Sequence, residues 1–346
     1  MTSHLEQELR EQPAALARLI EKQRAYGEQL RDLFQRRDVQ YILIASRGSS
    51  SNAARYAQYL LGRAHRVPVA FATPSLFTIY GQPPRLEGAL VIGISQSGKS
   101  PDVVEVVSEA RRQGRPTVAL TNDPSSPLGL AADGVLKLEA GDEHAVAATK
   151  TYVNSLGAAA LLFATTTADR QALDELERAP EQVARQLDRS WLDVPALDRF
   201  ADVEGGTVIA RGINYCTSFE IALKIRELSG LLFESYSAAD LMHGPVAAIA
   251  AGWPVVAVAP GGPAFDAMAE AVAAVAARGA RTIVISEDEA LRGRGEIGLP
   301  LLPGVPEWLS PLVAVVPGQL AAMRLAQLRG VDLDEPLGLS KVTLTR

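Results

Sequence analysis

Cysteine is almost missing from this chain of 346 residues, where Cys216 stands alone. One thiol closes no disulfide within the chain and builds no cysteine-based metal cluster. Histidine is nearly as scarce. His4, His65, His144 and His243 lie far apart, with no His-x-x-x-His or similar ligand spacing, so neither a metal nor a metal-bound cofactor is expected. A basic run is absent as well, and the net charge is −6. That argues against nucleic-acid binding, which needs a clustered basic face. It also means that an anionic ligand has to be attracted by local donors, because the overall field repels it. The longest charge-free stretch, residues 244–265, has the length of a membrane span. It is cut by Gly244, Pro245, Gly252, Pro254, Pro260, Gly261, Gly262 and Pro263, which suits buried strands and turns better than a spanning helix. The first residues are charged from Glu6 onward and do not read as a secretory signal. A soluble, cytoplasmic protein with no membrane partner is expected. Lysine is the last rarity: Lys22, Lys99, Lys137, Lys150, Lys224 and Lys341 are six of 34 basic residues. The bias toward arginine carries no function by itself, but it makes each placed lysine conspicuous.

What is present is a globular composition, 47% hydrophobic and 21% charged, at a length that suits roughly two domains. Residues 1–36 place Leu5, Leu9, Leu16, Leu19, Ile20, Leu30, Leu33 and Phe34 at helical spacing. They predict two or three helices, punctuated by Pro13 and Gly27, that either pack on the body or a partner subunit or form a solvated arm. Strand and helix patterns then alternate. Residues 41–46, 67–72, 90–94, 117–121 and 135–138 read as strands. Residues 53–61, 103–113 and 149 onward read as helices, and residues 47–52 as a polar turn. Such alternation implies a doubly wound α/β fold, a mainly parallel sheet with helices on both faces.

The chain then repeats itself. Val208-Ile209-Ala210-Arg211-Gly212 echoes the segment ending Arg47-Gly48, residues 255–262 echo 91–98, and residues 278–288 echo 113–123, all in order and at a nearly constant separation. The chain is therefore read as N-terminal helices (1–36), a first α/β domain (37–170), a charged helical linker (171–200), a second copy of the domain (201–330) and a tail (331–346). The copies differ at one place. The first has Ser95-Gln96-Ser97-Gly98 where the second has Ala259-Pro260-Gly261-Gly262.

The first copy's segment runs strand, hydroxyl-rich loop, helix N-terminus. Ser100 is a natural N-cap, and Pro101 suits the first helical position. Ser95, Gln96, Ser97 and Ser100 therefore form either an ordinary capped turn or an anion site, where backbone N–H groups and the helix dipole face a phosphate. In the second copy, Glu220, Lys224 and Glu227 fall at i, i+4 and i+7 on one helix face. They are either a surface ion pair or, among apolar neighbours, an acid–base group. Ser237 and Asp240 read as an N-cap and its N3 partner, with His243 before Gly244-Pro245. His243 is either a dipole contact or an acid–base imidazole at an exposed end.

Quoted in order, Arg47-Gly48-Ser49-Ser50, Ser95-Gln96-Ser97-Gly98-Lys99-Ser100, Val146-Ala147-Ala148-Thr149-Lys150, Glu220-x3-Lys224-x2-Glu227, Asp240-Leu241-Met242-His243-Gly244-Pro245 and Lys341-Val342-Thr343 resemble the double sugar-isomerase (SIS) domain family over essentially the whole chain. The resemblance implies two tandem SIS domains, each an α-β-α sandwich, and a sugar phosphate as the small-molecule partner. It implies that Ser95, Gln96, Ser97 and Ser100 hold the 6-phosphate, with Ser49, Ser50, Ala148 and Glu220 also at the substrate. Glu227 would move a proton between C1 and C2, and Lys224 would stabilise the developing oxygen. Lys341 would bring the tail over the site. His243 would open the sugar ring from a neighbouring subunit, in a homodimer.

No metal or organic cofactor is implied. Within the family, the motifs are most like the isomerase half of glucosamine-6-phosphate synthases and the glucosamine-6-phosphate deaminases. Cys216 as sole cysteine leaves no N-terminal cysteine nucleophile for glutamine hydrolysis. Arg47, Lys99-Ser100 and Ala148 are more deaminase-like, since synthases usually have Glu-Thr and Ser at the last two places. The expectation is conversion of glucosamine 6-phosphate and water to fructose 6-phosphate and ammonia. The alternatives are a glutaminase-less, synthase-like aldose–ketose isomerase or related phosphosugar isomerase, a phosphosugar deglycase, and a non-catalytic sugar-phosphate sensor.

Overall fold

Two sheets of five strands carry the chain. In the first, β1 (Tyr41–Ser46), β2 (Val69–Phe71), β3 (Ala89–Ile94), β4 (Thr117–Thr121) and β5 (Gly134–Lys137) lie in the order β2-β1-β3-β4-β5, every pair parallel. In the second, β6 (Gly205–Ala210), β7 (Leu232–Ser237), β8 (Pro254–Val258), β9 (Arg281–Ser286) and β10 (Ile297–Pro300) lie in the order β7-β6-β8-β9-β10, again all parallel. The identical order is the structural form of the sequence repeat. Strands buried on both faces must be apolar throughout, and β3, β4 and β8 have every residue buried.

The first half carries helices α1 (His4–Gln29), α2 (Arg31–Phe34), α3 (Gly48–His65), α4 (Pro74–Thr78), α5 (Pro101–Arg112), α6 (Pro127–Ala131) and α7 (Lys150–Thr167). Then come α8 (Arg170–Glu177), α9 (Ala179–Asp193), α10 (Tyr215–Ser229), α11 (Ala238–Met242), α12 (Phe265–Ala277), α13 (Glu289–Arg292) and α14 (Ser310–Leu328). The computed structural model describes residues 2–36 and 38–335, with Gly338 and Lys341. Of the tail motif, Leu339, Ser340, Val342 and Thr343 lie outside the described residues. The chain divides into two compact units. The N-terminal unit comprises Glu11–Glu143, Ala148–Pro180 and Lys341. The C-terminal unit comprises the residues up to Arg10, His144–Ala147 and the described chain from Glu181 to Gly338.

Register decides where the loops go. Ser46 pairs with Ile94, and Ile94 with Leu120. The segments that follow β1, β3 and β4 therefore leave the sheet side by side at its C-terminal edge, where ligands of open α/β sheets bind. On one face, Leu43, Ala45, Val91 and Ala119 pack with Val103, Val106 and Val107 of α5. Alternate residues point to the other face. Every residue of α7 from Lys150 to Thr166 is buried, and polar ones such as Asn154 and Ser155 donate to backbone carbonyls. Among the described residues one helix, Glu307–Leu328, is long and apolar enough to cross a membrane, and 94% of that window is buried inside the protein.

Two expectations need correction. Pro13 and Gly27 do not punctuate the N-terminal region, because both lie inside the single helix α1. Leu5, Leu9, Leu16 and Leu19 are fully buried, and that packing overrides the roughly 3 kcal/mol that an interior proline costs. Gly27 is a contact and not a stop: a Cβ there would lie 2.9 Å from Thr165 Oγ1 of α7. Residues 48–52 are not a turn either but the opening of α3, with Arg47 at its N-cap position. Ser49 and Ser50 thus stand in the first turn of that helix.

α1 sits on α7 at Gly157, where a Cβ would lie 2.4 Å from Leu16 Cδ1 and 3.0 Å from Leu19 Cδ2. Gly157→Val should therefore lower unfolding free energy by about 1–3 kcal/mol, although valine is the better helix former. Urea denaturation checks this, and an unchanged midpoint would mean that α1 is not seated there.

Candidate active site

The loop after β3 is fixed through its carbonyls. Gln96 O accepts from Asn122 N–H at 3.0 Å and from Thr121 Oγ1 at 3.3 Å, and Gly98 O accepts from Leu128 N–H at 3.0 Å. Gly98 has φ +63°, and a Cβ there would lie 1.9 Å from Ser126 Oγ. Only glycine lets the turn lie this close to the segment after β4. The hydroxyls are then displayed on the turn. Ser95 Oγ and Ser100 Oγ are 3.5 Å apart, and Ser97 Oγ accepts from Lys99 N–H at 3.3 Å.

Ser100 occupies the N-cap position of α5, as its place before Pro101 suggests, yet its hydroxyl makes no cap hydrogen bond. Ser95 is buried, Gln96, Ser97 and Ser100 are half-buried, and Lys99 is exposed. Next to this loop in the sheet order is the opening of α3 with half-buried Ser49 and Ser50. The two segments are tied by Arg47, which donates through Nε to the enclosed carboxylate of Asp102 on α5. Asp102 also accepts from its own neighbour, Val103 N–H, at 2.9 Å. Neither Arg47–Asp102 spacing nor composition signals this pair in the sequence. Parallel adjacency of β1 and β3 creates it.

The corresponding loop of the C-terminal unit is closed from within. The N–H of Gly261 donates to the carboxylate of Glu287, which follows β9. Burial pushes the Glu287 carboxyl above its ordinary range, with the Gly261 bond opposing it. The second copy thus lacks the hydroxyls and also fills a backbone donor with its own side chain.

Glu220, Lys224 and Glu227 share one face of α10, as their spacing predicts. Lys224 Nζ is 3.5 Å from Glu220 Oε1 and donates to Glu227 Oε2. The side chains of Lys224 and Glu220 are wholly enclosed, whereas Glu227 keeps 26% exposure. They are not a solvated ion pair. α10 is clamped against α14 so closely that a Cβ on Gly318 would lie 2.3 Å from Ile221. Removing one partner from such a buried set leaves an uncompensated charge. Ser237 caps α11 by accepting from Asp240 N–H at 3.2 Å, and His243 is the exposed residue that ends it. Half-buried Ala148 lies just before α7. Lys341 Nζ donates to Glu143 Oε2 at 2.8 Å.

The serines, Gln96, Ala148 and Lys341 therefore belong to the N-terminal unit, and Glu220, Lys224, Glu227 and His243 to the C-terminal one. Among the described residues, no three His, Cys, Asp or Glu side chains converge as metal ligands would.

The SIS domain family matches residues 36–165 and again 206–327. A glutamine–fructose-6-phosphate aminotransferase (isomerizing) of Methanothermobacter thermautotrophicus is 36% identical over 306 residues, 88% of this chain and 51% of that protein. The chain spans about half the length of the curated relatives it matches. Among solved structures, a candidate phosphosugar isomerase of Silicibacter pomeroyi is 32% identical with a TM-score of 0.84, covering 95% of this chain and 99% of that one. The C-terminal domain of a glucosamine-fructose-6-phosphate aminotransferase of Francisella tularensis is 27% identical with a TM-score of 0.87, covering 97% and 99%.

The close approach at Gly98 yields a test of the loop. Gly98→Ala should destabilise the protein by about 1–3 kcal/mol through strain at positive φ and the clash with Ser126. Ser126→Gly in the same chain should recover part of that loss in thermal unfolding, a non-additivity expected only of residues in contact. Strictly additive losses would show that the loop does not rest on Ser126.

Proposed function

The chain belongs to the SIS domain family, and from that premise we propose that it is an aldose–ketose isomerase of amino-sugar phosphates that releases ammonia. Glucosamine 6-phosphate and water would give fructose 6-phosphate and ammonia. The observation that carries this reading is the carboxylate of Glu227, open to solvent and held by an ammonium that is itself enclosed. That is how a general base is held in one place and within reach of a substrate proton.

The chemistry follows from the proposed roles. Ser95, Ser97 and Ser100, with the N-terminal end of α5 and the Gln96 segment, bind the 6-phosphate through hydroxyls and the helix dipole. Ser49, Ser50 and Ala148 line the sugar. His243, supplied by a second copy of the chain in a homodimer, opens the ring. Its exposed place at the end of α11 supports that role. Glu227 then takes the proton from C2, the electron pair forms the C1–C2 double bond, and the C1–O π pair moves onto O1, which takes up a proton to give an enolamine. Protonation at C1 leaves a C=N bond at C2. Water adds to C2, the C–N bond breaks, and ammonia leaves a ketone. Because Lys224 is enclosed, its part is to hold Glu227 and lend positive potential, with Glu220 positioning it from the other side. Lys341 serves the reaction from the tail. Acid–base groups suffice for enolisation, so this reading calls on no metal or organic cofactor.

A second reading is the isomerase half of an aminotransferase, forming the amino sugar from fructose 6-phosphate and ammonia delivered by another domain. The 36% identity over half of such a relative favours it, whereas Arg47, Lys99 and Ala148 favour the deaminase. The two readings share one reversible reaction and differ in whether free ammonia can enter and leave it, so the chain is incubated without glutamine. Fructose 6-phosphate and ammonia in equal amounts from glucosamine 6-phosphate support the first, and conversion of fructose 6-phosphate to glucose 6-phosphate with no turnover of glucosamine 6-phosphate, even with ammonium added, supports the second.

In the active enzyme, Glu227→Gln should lower kcat by about 100-fold or more, the scale of a lost general base, and unchanged turnover would sink the mechanism. Ser97→Ala should raise KM far more than it alters the pH profile of kcat. A shifted profile with KM intact would show that the loop does not hold the phosphate.

A further inference from the structure

Glu143 has no part in the chemistry above, yet its carboxylate is the most heavily donated-to group in the N-terminal unit among the contacts described. Its side chain is wholly enclosed. Oε1 accepts from Thr149 N–H at 3.1 Å and Thr151 N–H at 3.0 Å, and Oε2 accepts from Thr151 Oγ1 at 2.7 Å and Lys341 Nζ at 2.8 Å. The N–H donors belong to the start of α7, whose N-cap residue Thr149 makes no side-chain cap bond. Glu143 supplies the cap in its place, at the positive end of the helix dipole.

A cap alone does not require this much. Exposed Ser, Thr, Asp and Asn serve as caps with one neutral donor, whereas a fully buried carboxylate is stable only when a cation accompanies it. That cation comes from 198 positions along the chain and is the last of the scarce lysines. Burial opposes the charge on Glu143, but the Lys341 ammonium and the Thr151 donors outweigh it and hold its carboxyl below the ordinary glutamate range.

We propose that Glu143 is the positioning residue for Lys341, a buried anion that fixes the tail lysine at the N-terminal end of α7 before substrate arrives. It rests on the reading above, in which Lys341 serves the reaction, and it adds what determines where Lys341 stands.

Trypsin provides a test without substrate, because it cuts after a lysine only when that side chain enters its own acidic pocket. A docked Lys341 must first leave Glu143. Under limited digestion followed by mass spectrometry, Glu143→Gln should raise the cleavage rate at Lys341 about 10-fold or more, with cleavage at the exposed Lys99 unchanged. Equal rates at Lys341 in both proteins would overturn the proposal. Should the variant not fold, the unaltered protein decides. Reductive methylation should modify Lys341 about 10-fold more slowly than Lys99, and equal reactivity would overturn the anchor. In the active enzyme, Glu143→Gln should lower kcat about 10-fold or more with KM within about 2-fold, the pattern of a misplaced reacting group. A rise in KM with kcat intact would place Glu143 in binding instead. An unaltered protein that is inactive on amino-sugar phosphates, with Lys341 still protected, would sink the proposed reaction and leave the anchor standing.

Discussion

A peptide N–H turned inward at the end of a parallel strand has to be given an acceptor, and the two halves of this chain meet that demand in different ways. After β8 the acceptor is internal: Glu287 reaches back to Gly261, and the turn is complete without a ligand. After β3 the acceptors are internal as well but are hydroxyls, Ser95 Oγ taking the N–H of Gly98 at 3.2 Å and Ser97 Oγ that of Lys99 at 3.3 Å. A duplicated fold with the same strand order twice thus closes one turn with a carboxylate and the other with serine hydroxyls.

The second half contributes in another place. Lys224 and Glu227 lie in the latter part of α10, about 13 and 18 Å beyond its first residue at 1.5 Å per residue, away from the strand-end loops where α/β folds usually bind ligands. Burying three ionisable groups on one helix is expensive unless they satisfy one another. Here two carboxylates flank one ammonium, and α14 packs against the helix that bears them. The Glu227 carboxylate, the one of the three that meets solvent, is held by the enclosed Lys224 ammonium.

Much of this was legible from one-dimensional pattern. The apolar runs of β1, β3 and β4, the repeat, the N-cap position of Ser100 and the spacing of Glu220, Lys224 and Glu227 are local or periodic, and folding keeps them, although the Ser100 hydroxyl makes no cap bond. What escaped was created by contacts between distant segments. Pro13 looks like a stop until Leu16 and Leu19 are seen seated on α7. Arg47 meets Asp102 only because β1 and β3 are neighbours. Glu143 is an unremarkable acidic residue in the sequence, because its donors are two peptide groups, a threonine and a lysine near the other end of the chain.

The seating of α1 on α7 also bears on where this fold begins. The family match opens at residue 36, but the N-terminal unit draws on Leu16, Leu19, Tyr26 and Leu30 before that, with Tyr26 Oη receiving the N–H of Val135 and Arg31 donating to Thr165 O. A fragment cut at the family boundary would hand to water the side of α7 that those leucines cover. A newly bared apolar face of that kind drives self-association. The stretch that the family matches and the folding unit therefore differ by two helices, α1 and α2, and a fragment that respects only the former would be lost to aggregation before its chemistry could be measured.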